Sequence, residues 1–255
     1  MDDRRDEEIL KILDHSKSEY VSVEALAKHF NISESTIRRE LKRLSERHKV
    51  LRVHGGAKAI NFSGTYTFER IDKEYMEREN SEVELKKEIA KLAVSHLKSS
   101  SIVYMDASTT VASMISFIPK DKNIKFVTNS PTLAKKLTEN KLPCYVTCGE
   151  WKLTTNALIG PYALEFLDKF NFSTGFFGTN GIHSQAKFTT PDPEECAIKM
   201  KAISRCYDVF ILATSSKLDN IASCTFADFV RPTLIIDKID EKYHSIIKNV
   251  ETVSK

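Results

Sequence analysis

The tightest constraint on this chain is a set of short, almost uninterrupted apolar runs: SIVYMD (101–106), IKFVTN (124–129), CYVTCG (144–149), STGFFGT (173–179), VFILAT (209–214) and TLIID (233–237). A strand with one face in water alternates apolar and polar residues, so runs without that alternation must be covered on both faces. Between them lie stretches with apolar residues at helical spacing, KKEIAKLAVSHLK (86–98), TVASMISFI (110–118), PTLAKKLTEN (131–140) and PEECAIKMKAIS (193–204). The alternation predicts an α/β fold from about residue 82 onward: a Rossmann-like, mostly parallel sheet with helices on both sides.

Open parallel sheets bind ligands beyond the carboxyl ends of their strands. Four of those ends carry small and polar residues: Asp106, Ala107, Ser108, Thr109 and Thr110; Thr128, Asn129 and Ser130; Gly178, Thr179, Asn180 and Gly181; and Thr214, Ser215, Ser216 and Lys217. One such loop is ordinarily a helix cap. Four at the same sheet edge predict a pocket for a small, hydroxylated, phosphorylated metabolite. Hydroxyls and amides at helix N-termini suit an anion, and the glycines let a ligand approach the backbone. Asp106 suits sugar hydroxyls, and Lys217 suits a phosphate or a carboxylate. Glu195, at the start of its helix, is either a pocket carboxylate or a surface residue complementing the helix dipole.

The first sixty residues have helical periods. Ile9, Leu10, Ile12 and Leu13 make one apolar face, and Val23, Leu26, Ala27 and Phe30 a second. NIS then turns the chain: Asn31 tolerates a left-handed conformation, and Ser33 or Ser35 can cap the next helix. That helix, STIRRELKRLSERHK (35–49), buries Ile37, Leu41 and Leu44 on one stripe and presents Ser35, Thr36, Arg38, Arg39, Lys42 and Arg43 on the other side. From 36 to 58 eight bases face only two acids, Glu40 and Glu46, whereas upstream the acids dominate. A basic helix after a tight turn fits a major groove, with cations on phosphates and Ser35 or Thr36 near phosphate or base edges.

A chain with eight glycines in 255 residues places Gly55 and Gly56 side by side after VLRV. The pair predicts a tight hairpin in which both glycines supply positive φ. Such a wing would bring Arg52, His54 and Lys58 to the DNA backbone or minor groove; His54 reads equally as a surface residue at a strand end. Residues 1–60 are thus expected to form a DNA-binding domain, 61–81 a linker or docking helix, and 82–255 the ligand-binding and oligomerising domain.

The net charge of +3 says little, and the five cysteines show no CxxC pair and no zinc-ligand spacing, so reduced thiols and no metal are expected. The N-terminus MDDRRDEEIL is no signal sequence, and no run approaches the length of a membrane span. A soluble cytoplasmic protein is the expectation.

"VSVEALAKHFNISESTIRRELKRLSE" (21–46) together with "VLRVHGGA" (50–57) resembles the N-terminal winged helix-turn-helix of the DeoR/GlpR family of bacterial sugar-metabolism repressors. Glu40 stands where many members have Asp. The second part resembles the family's effector domain, related in fold to ribose 5-phosphate isomerase, through "KKEIA", "MDASTT", "VTNS", "GFFGTNGI", "TTPDPEECAIK" and "SSKL". The resemblance implies effector contacts at Asp106, Ser108, Thr109, Thr110, Thr128, Asn129, Gly178, Asn180, Gly181, Glu195, Lys199 and Lys217. It implies a homo-oligomer, dimer or tetramer, that represses a carbohydrate uptake or catabolic operon by binding double-stranded operator DNA, with a sugar phosphate as allosteric effector and no cofactor. The chain departs from the family at Ala107, Cys148, Ala186 and Asp219, where Gly is usual, and at Thr214, where Asp is usual; these changes predict an altered pocket. Two alternatives remain: a sugar-phosphate isomerase with an appended DNA-binding part, and a DNA-binding module whose larger domain only oligomerises.

Overall fold

The computed structural model describes residues 2–15, 21–46, 50–53, 55–59, 75–153 and 155–253, in two compact units, Met1–Thr65 and Tyr66–Lys255. The first unit contains α1 (Asp2–His15), β1 (Val21–Ser22), α2 (Val23–Phe30), α3 (Glu34–Glu46), β2 (Val50–Val53) and β3 (Gly56–Ala59). Its core combines Ile9, Leu13, Val23, Leu26, Ala27, Ile37, Leu41 and Leu44, from the stripes expected from the helical spacing, with Val50 and Ala57 of the strands. Ser22 starts α2 by accepting from the Ala25 amide at 3.1 Å, and Asn31 ends it at φ 52°. Of the two serines that could cap α3, Ser33 does so, accepting from the Thr36 amide at 3.2 Å.

β2 and β3 form the expected hairpin, and β1, too short to read from sequence, adds to β3 on its other side. Only one of the two glycines has positive φ: Gly55, at +82°. Gly56 is instead a buried residue of the middle strand, paired with Val53 on one side and Ser22 on the other. A Cβ at position 55 would meet nothing within 4 Å, so its cost is conformational. Gly55→Val is expected to destabilise the first unit by about 1–2 kcal/mol, read from its urea unfolding transition; an unchanged midpoint would contradict this.

The second unit begins with α4 (Tyr75–Asn80) and α5 (Val83–Val94), then β4 (Ile102–Met105), α6 (Thr109–Ala112), β5 (Lys125–Thr128), α7 (Pro131–Glu139) and β6 (Cys144–Val146). A hairpin, β7 (Glu150–Lys152) and β8 (Ala157–Ile159), leads to α8 (Pro161–Asp168), β9 (Phe172–Gly178), β10 (Gly181–His183), β11 (Lys187–Thr190) and α9 (Pro193–Ser204). β12 (Cys206–Ala213), β13 (Cys224–Ala227), β14 (Thr233–Ile236), α10 (Glu241–His244) and β15 (Asn249–Thr252) complete it. The seven-stranded sheet has the order β15-β14-β12-β9-β4-β5-β6, and every neighbouring pair is parallel.

Both faces of that sheet are covered, as the continuous apolar runs require. Val103, Met105, Phe176, Phe210 and Leu212 point toward Ile89, Ala93, Leu133 and Leu137 of α5 and α7. Tyr104, Phe177, Val209, Ile211 and Ala213 point toward α8, α9, α10 and the small sheet β10-β11-β13. The stretch TVASMISFI is not one helix: α6 gives way after four residues to a 3₁₀ turn over Ser113–Phe117. Ser113 Oγ turns back onto the Thr109 carbonyl at 3.1 Å, a bond of the kind that bends helices.

Candidate functional site

The chain runs from β4 outward to β5 and β6 on one side, then returns to place β9, β12, β14 and β15 on the other. Loops after β4 and β9 therefore diverge, leaving a crevice at their carboxyl ends, where sheets of this kind bind ligands. Asp106 follows β4 and is 2% exposed. Its Oδ2 accepts from the Gly178 amide at 3.0 Å and pairs with the Lys199 ammonium, which also donates to the Gly178 carbonyl at 3.1 Å. This triangle ties β4, β9 and α9 together. A Cβ on residue 178 would lie 2.3 Å from Ser108 Oγ and 2.5 Å from Ser108 Cβ, so only glycine lets the end of β9 lie against the start of the β4 loop.

The crevice encloses about 510 Å³, counting its open mouth. Ser108, Thr109, Thr110, Gly178, Asn180, Glu195, Lys199 and Lys217, all anticipated from sequence, line it, together with Ala107 and Thr179. Arg78, Ser81, Glu82 and Lys86 line it too and were not anticipated. Lys86 had a readable signal: it heads the α5 stripe continued by Ile89, Ala90 and Ala93, and a lysine on an apolar face needs a reason to be there. Arg78 and Ser81 fall within 61–81, where composition suggested a linker or docking helix. Among the described residues of the lining, four basic side chains face two acidic ones, no aliphatic residue is larger than Ala107, and no aromatic ring offers a stacking face. The chemistry suits a small, polar, anionic ligand and gives no purchase to an apolar one or a nucleobase.

Burial, reinforced by the charges of Lys217 and Arg78 and opposed by Glu82 and Glu79, pulls the Lys86 amine down to about 8. Glu195 is 9% exposed and lines the crevice, which favours the first of its two readings. The N-cap of α9 is already taken by Asp192, whose Oδ1 accepts from the Glu194 and Glu195 amides at 3.0 Å. Burial raises the Asp192 carboxyl, but the Lys152 ion pair and those two amides outweigh it and hold the group below its ordinary range.

Other expected contacts are spent inside the protein. Asp106 pairs with Lys199 and is not among the residues that line the crevice; its carboxylate holds that ammonium and the Gly178 amide. Thr128 is fully buried, its Oγ1 accepting from the Ser130 amide at 3.1 Å. Asn129 Oδ1 accepts from the Tyr104 hydroxyl at 3.0 Å and the Ala107 amide at 3.1 Å, bracing the β4 loop from behind. At Gly181 a Cβ would stand 2.3 Å from the Asn220 carbonyl, so that glycine serves packing. The helix-dipole expectation also weakens, because α6 has only four residues and Ser130 caps α7 with its own hydroxyl.

Of the five departures, only Ala107 lines the crevice. Thr214 Oγ1 donates to Glu82 Oε2 at 2.8 Å, so a carboxylate still stands against that position. Asp219 adopts φ 60°, the region glycine favours and Asp tolerates. Cys148 donates to the Tyr162 carbonyl at 3.2 Å, and the Ala186 carbonyl accepts from Thr225 Oγ1 at 2.9 Å, both away from the crevice.

In the first unit α3 turns Ser35, Arg38, Arg39 and Lys42 outward while Ile37, Leu41 and Leu44 are buried. The Ser35 and Thr36 hydroxyls meet Ser33 Oγ at 2.8 and 2.9 Å, and Arg38 pairs with Glu34 at 2.7 Å. Arg43 is different: it pairs with Asp6 of α1 at 2.6 Å, as Arg5 pairs with Glu40 at 2.7 Å, so Arg43 fastens α1 to α3. Arg52 and Lys58 sit on β2 and β3. Their side chains, and the whole of His54, lie outside the described residues. Among the described residues no helix is long and apolar enough to cross a membrane.

Residues 81–238 match the DeoR C terminal sensor domain, and residues 5–62 match the DeoR-like helix-turn-helix domain. The HTH-type transcriptional regulator FruR of Bacillus subtilis strain 168 is 36% identical over 225 residues, 88% of this chain and 87% of that protein. The glycerol-3-phosphate regulon repressor of Escherichia coli K12 is 28% identical over 217 residues, 83% of each. A solved ribose 5-phosphate isomerase from Methanocaldococcus jannaschii is 15% identical, with a TM-score of 0.41, over 54% of this chain and 55% of that one. With a helix-turn-helix unit at one end and the matching sensor domain at the other, the chain belongs to the DeoR family and is a DNA-binding transcriptional regulator rather than an enzyme.

Proposed function

We propose that the protein represses a carbohydrate uptake or catabolic operon, gripping operator DNA as a homo-oligomer through α3 and the β2–β3 wing, and that a phosphorylated sugar in the crevice changes that grip. The observation that carries the effector reading is the crevice lining: Arg78, Lys86, Lys199 and Lys217 against Glu82 and Glu195, with the hydroxyls of Ser108, Thr109 and Thr110 between them. Cations suit the phosphate, while carboxylates, hydroxyls and Asn180 suit a polyol. That one relative is named a glycerol-3-phosphate regulon repressor agrees with a phosphorylated polyol. Basic residues on one side of α3 support the DNA reading, and two-fold DNA sites bound by such proteins space their half-sites about 34 Å apart or a multiple of it.

Thermal unfolding with glycerol 3-phosphate, ribose 5-phosphate, fructose 6-phosphate or inorganic phosphate tests the effector. At a hundredfold excess over Kd a true ligand stabilises by about 2.7 kcal/mol; no shift with any sugar phosphate would refute the site.

The state of Lys86 gives a further expectation. With the amine near 8, raising the pH through that value neutralises it, and a phosphate dianion then binds only by bringing a proton or by losing a contact. Sugar-phosphate affinity should hold near pH 7 and fall above pH 8 by up to about tenfold per unit, the limit for one linked proton. Lys86→Met should bind more weakly with a flat profile above pH 7. Calorimetric titration from pH 6.5 to 9.5 measures both, and a flat profile for the unaltered protein would contradict the expectation.

A further inference from the structure

Arg78 of α4, with Ser81 and Glu82 just beyond it, forms one wall of the crevice. A six-residue helix has no stability of its own, because nucleating a helix costs more than so few backbone bonds return. None of the described side chains of α4 belongs to the apolar cores of the second unit. Polar contacts hold its described residues. The Lys86 ammonium donates to the Arg78 carbonyl and, at 3.4 Å, to Ser81 Oγ, which donates to the same carbonyl at 3.0 Å. Glu79 pairs with Lys136 of α7. Glu82 Oε2, at the start of α5, accepts from Thr214 Oγ1 at 2.8 Å and Ser216 Oγ at 3.1 Å. The groups that fasten α4 are thus largely the groups that face the crevice.

We propose that the ligand's anionic group completes the fastening of α4 by bonding to Arg78 and Lys86, and that the docking of α4 is the element through which crevice occupancy alters DNA affinity. The proposal rests on the reading of the crevice as a sugar-phosphate site. A ligand shifts a conformational equilibrium only by its differential affinity for the two states. Here the difference is built in, because Arg78 belongs to the crevice only when α4 is docked. A partly exposed ion pair such as Glu79–Lys136 contributes little in water, so charge-assisted bonds from one ligand can outweigh it. The lowered Lys86 amine fits this picture, since burial is the main cause of its shift and an arriving anion would favour the charged form. In sequence α4 is the first described element after the wing, so its state is placed to reach the DNA-binding unit along the chain.

Hydrogen exchange on the full chain tests this with whichever of glycerol 3-phosphate, ribose 5-phosphate and fructose 6-phosphate raises the melting temperature. Exchange over residues 75–86 is expected to slow at least about fivefold on binding, a population shift of the size that couples sites. Glu79→Lys, altered outside the crevice, is expected to cut the ratio of DNA affinities with and without that ligand at least about fivefold. Glu79→Lys with Lys136→Glu restores the pair in reverse and should return the ratio to within about twofold. If exchange over 75–86 is unchanged, or Glu79→Lys keeps the full ratio, while the ligand still raises the melting temperature, the coupling role of α4 is overturned and the site stands. If none of the three sugar phosphates raises the melting temperature, site and coupling fall together.

Discussion

Lys199→Ala is expected to destabilise the second unit by about 3–5 kcal/mol, the cost of leaving a buried charge without its partner. The partners are 7% and 3% exposed at their side chains, so the pair is largely withdrawn from water. The damage should spread to Gly178, whose amide and carbonyl are held by the same two groups. Asp106→Asn with Lys199→Met removes both charges and should recover most of the loss, because a buried pair exchanged for neutral groups is often close to neutral. Urea unfolding of the two variants compares these directly. A cost under about 1 kcal/mol for Lys199→Ala, the range of exposed pairs, would show that the pair does not organise the β4–β9 junction.

Arg39→Ala with Lys42→Ala is expected to weaken specific DNA binding by about 2–6 kcal/mol, taking about 1–3 kcal/mol for each side chain that reaches a base. If either contact is to a phosphate instead, the salt slope of binding should fall by about 0.9 for each one lost. Arg43→Ala separates the two kinds of arginine on α3. Its side chain is committed to Asp6, so the substitution should lower the stability of the first unit while leaving operator affinity within a few-fold. Anisotropy titrations at several salt concentrations read both variants. Equal losses of affinity for Arg43→Ala and the double variant would place Arg43 at the DNA.

What was legible in the sequence follows from burial. Six apolar runs fall on six of the seven strands of the main sheet; β4, β5, β9, β12 and β14 were readable because both of their faces are covered, whereas the edge strand β6 was readable only from its apolar composition, since Tyr145 and Val146 are exposed. β15, NVET, was not: it is an edge strand, only partly buried, and carries no continuous apolar run. The hairpin β7–β8 and the sheet β10-β11-β13 were missed because their short strands, such as EWK, GIH and KFTT, mostly carry no continuous apolar run. The crevice was half legible. Residues that directly follow β4, β9 and β12 could be found from the rule that ligands lie at strand ends, and Ser108, Asn180 and Lys217 line it accordingly. The same rule overreached at Thr128 and Asn129, because it does not say which loops diverge and which brace their neighbours. Arg78, Ser81 and Glu82 arrive from α4 and the turn after it, and nothing in a polar, charged stretch marks it as a wall of the crevice rather than a connection.

The direct test of ligand-regulated DNA binding is fluorescence anisotropy of the full chain on labelled DNA from upstream of its own gene, with and without glycerol 3-phosphate, ribose 5-phosphate or fructose 6-phosphate. Salt-sensitive, sequence-specific binding is expected, with at least one sugar phosphate changing the affinity about 5- to 150-fold, the usual range for coupled sites. Affinity that stays the same with every sugar phosphate, including any that raises the melting temperature, would contradict it.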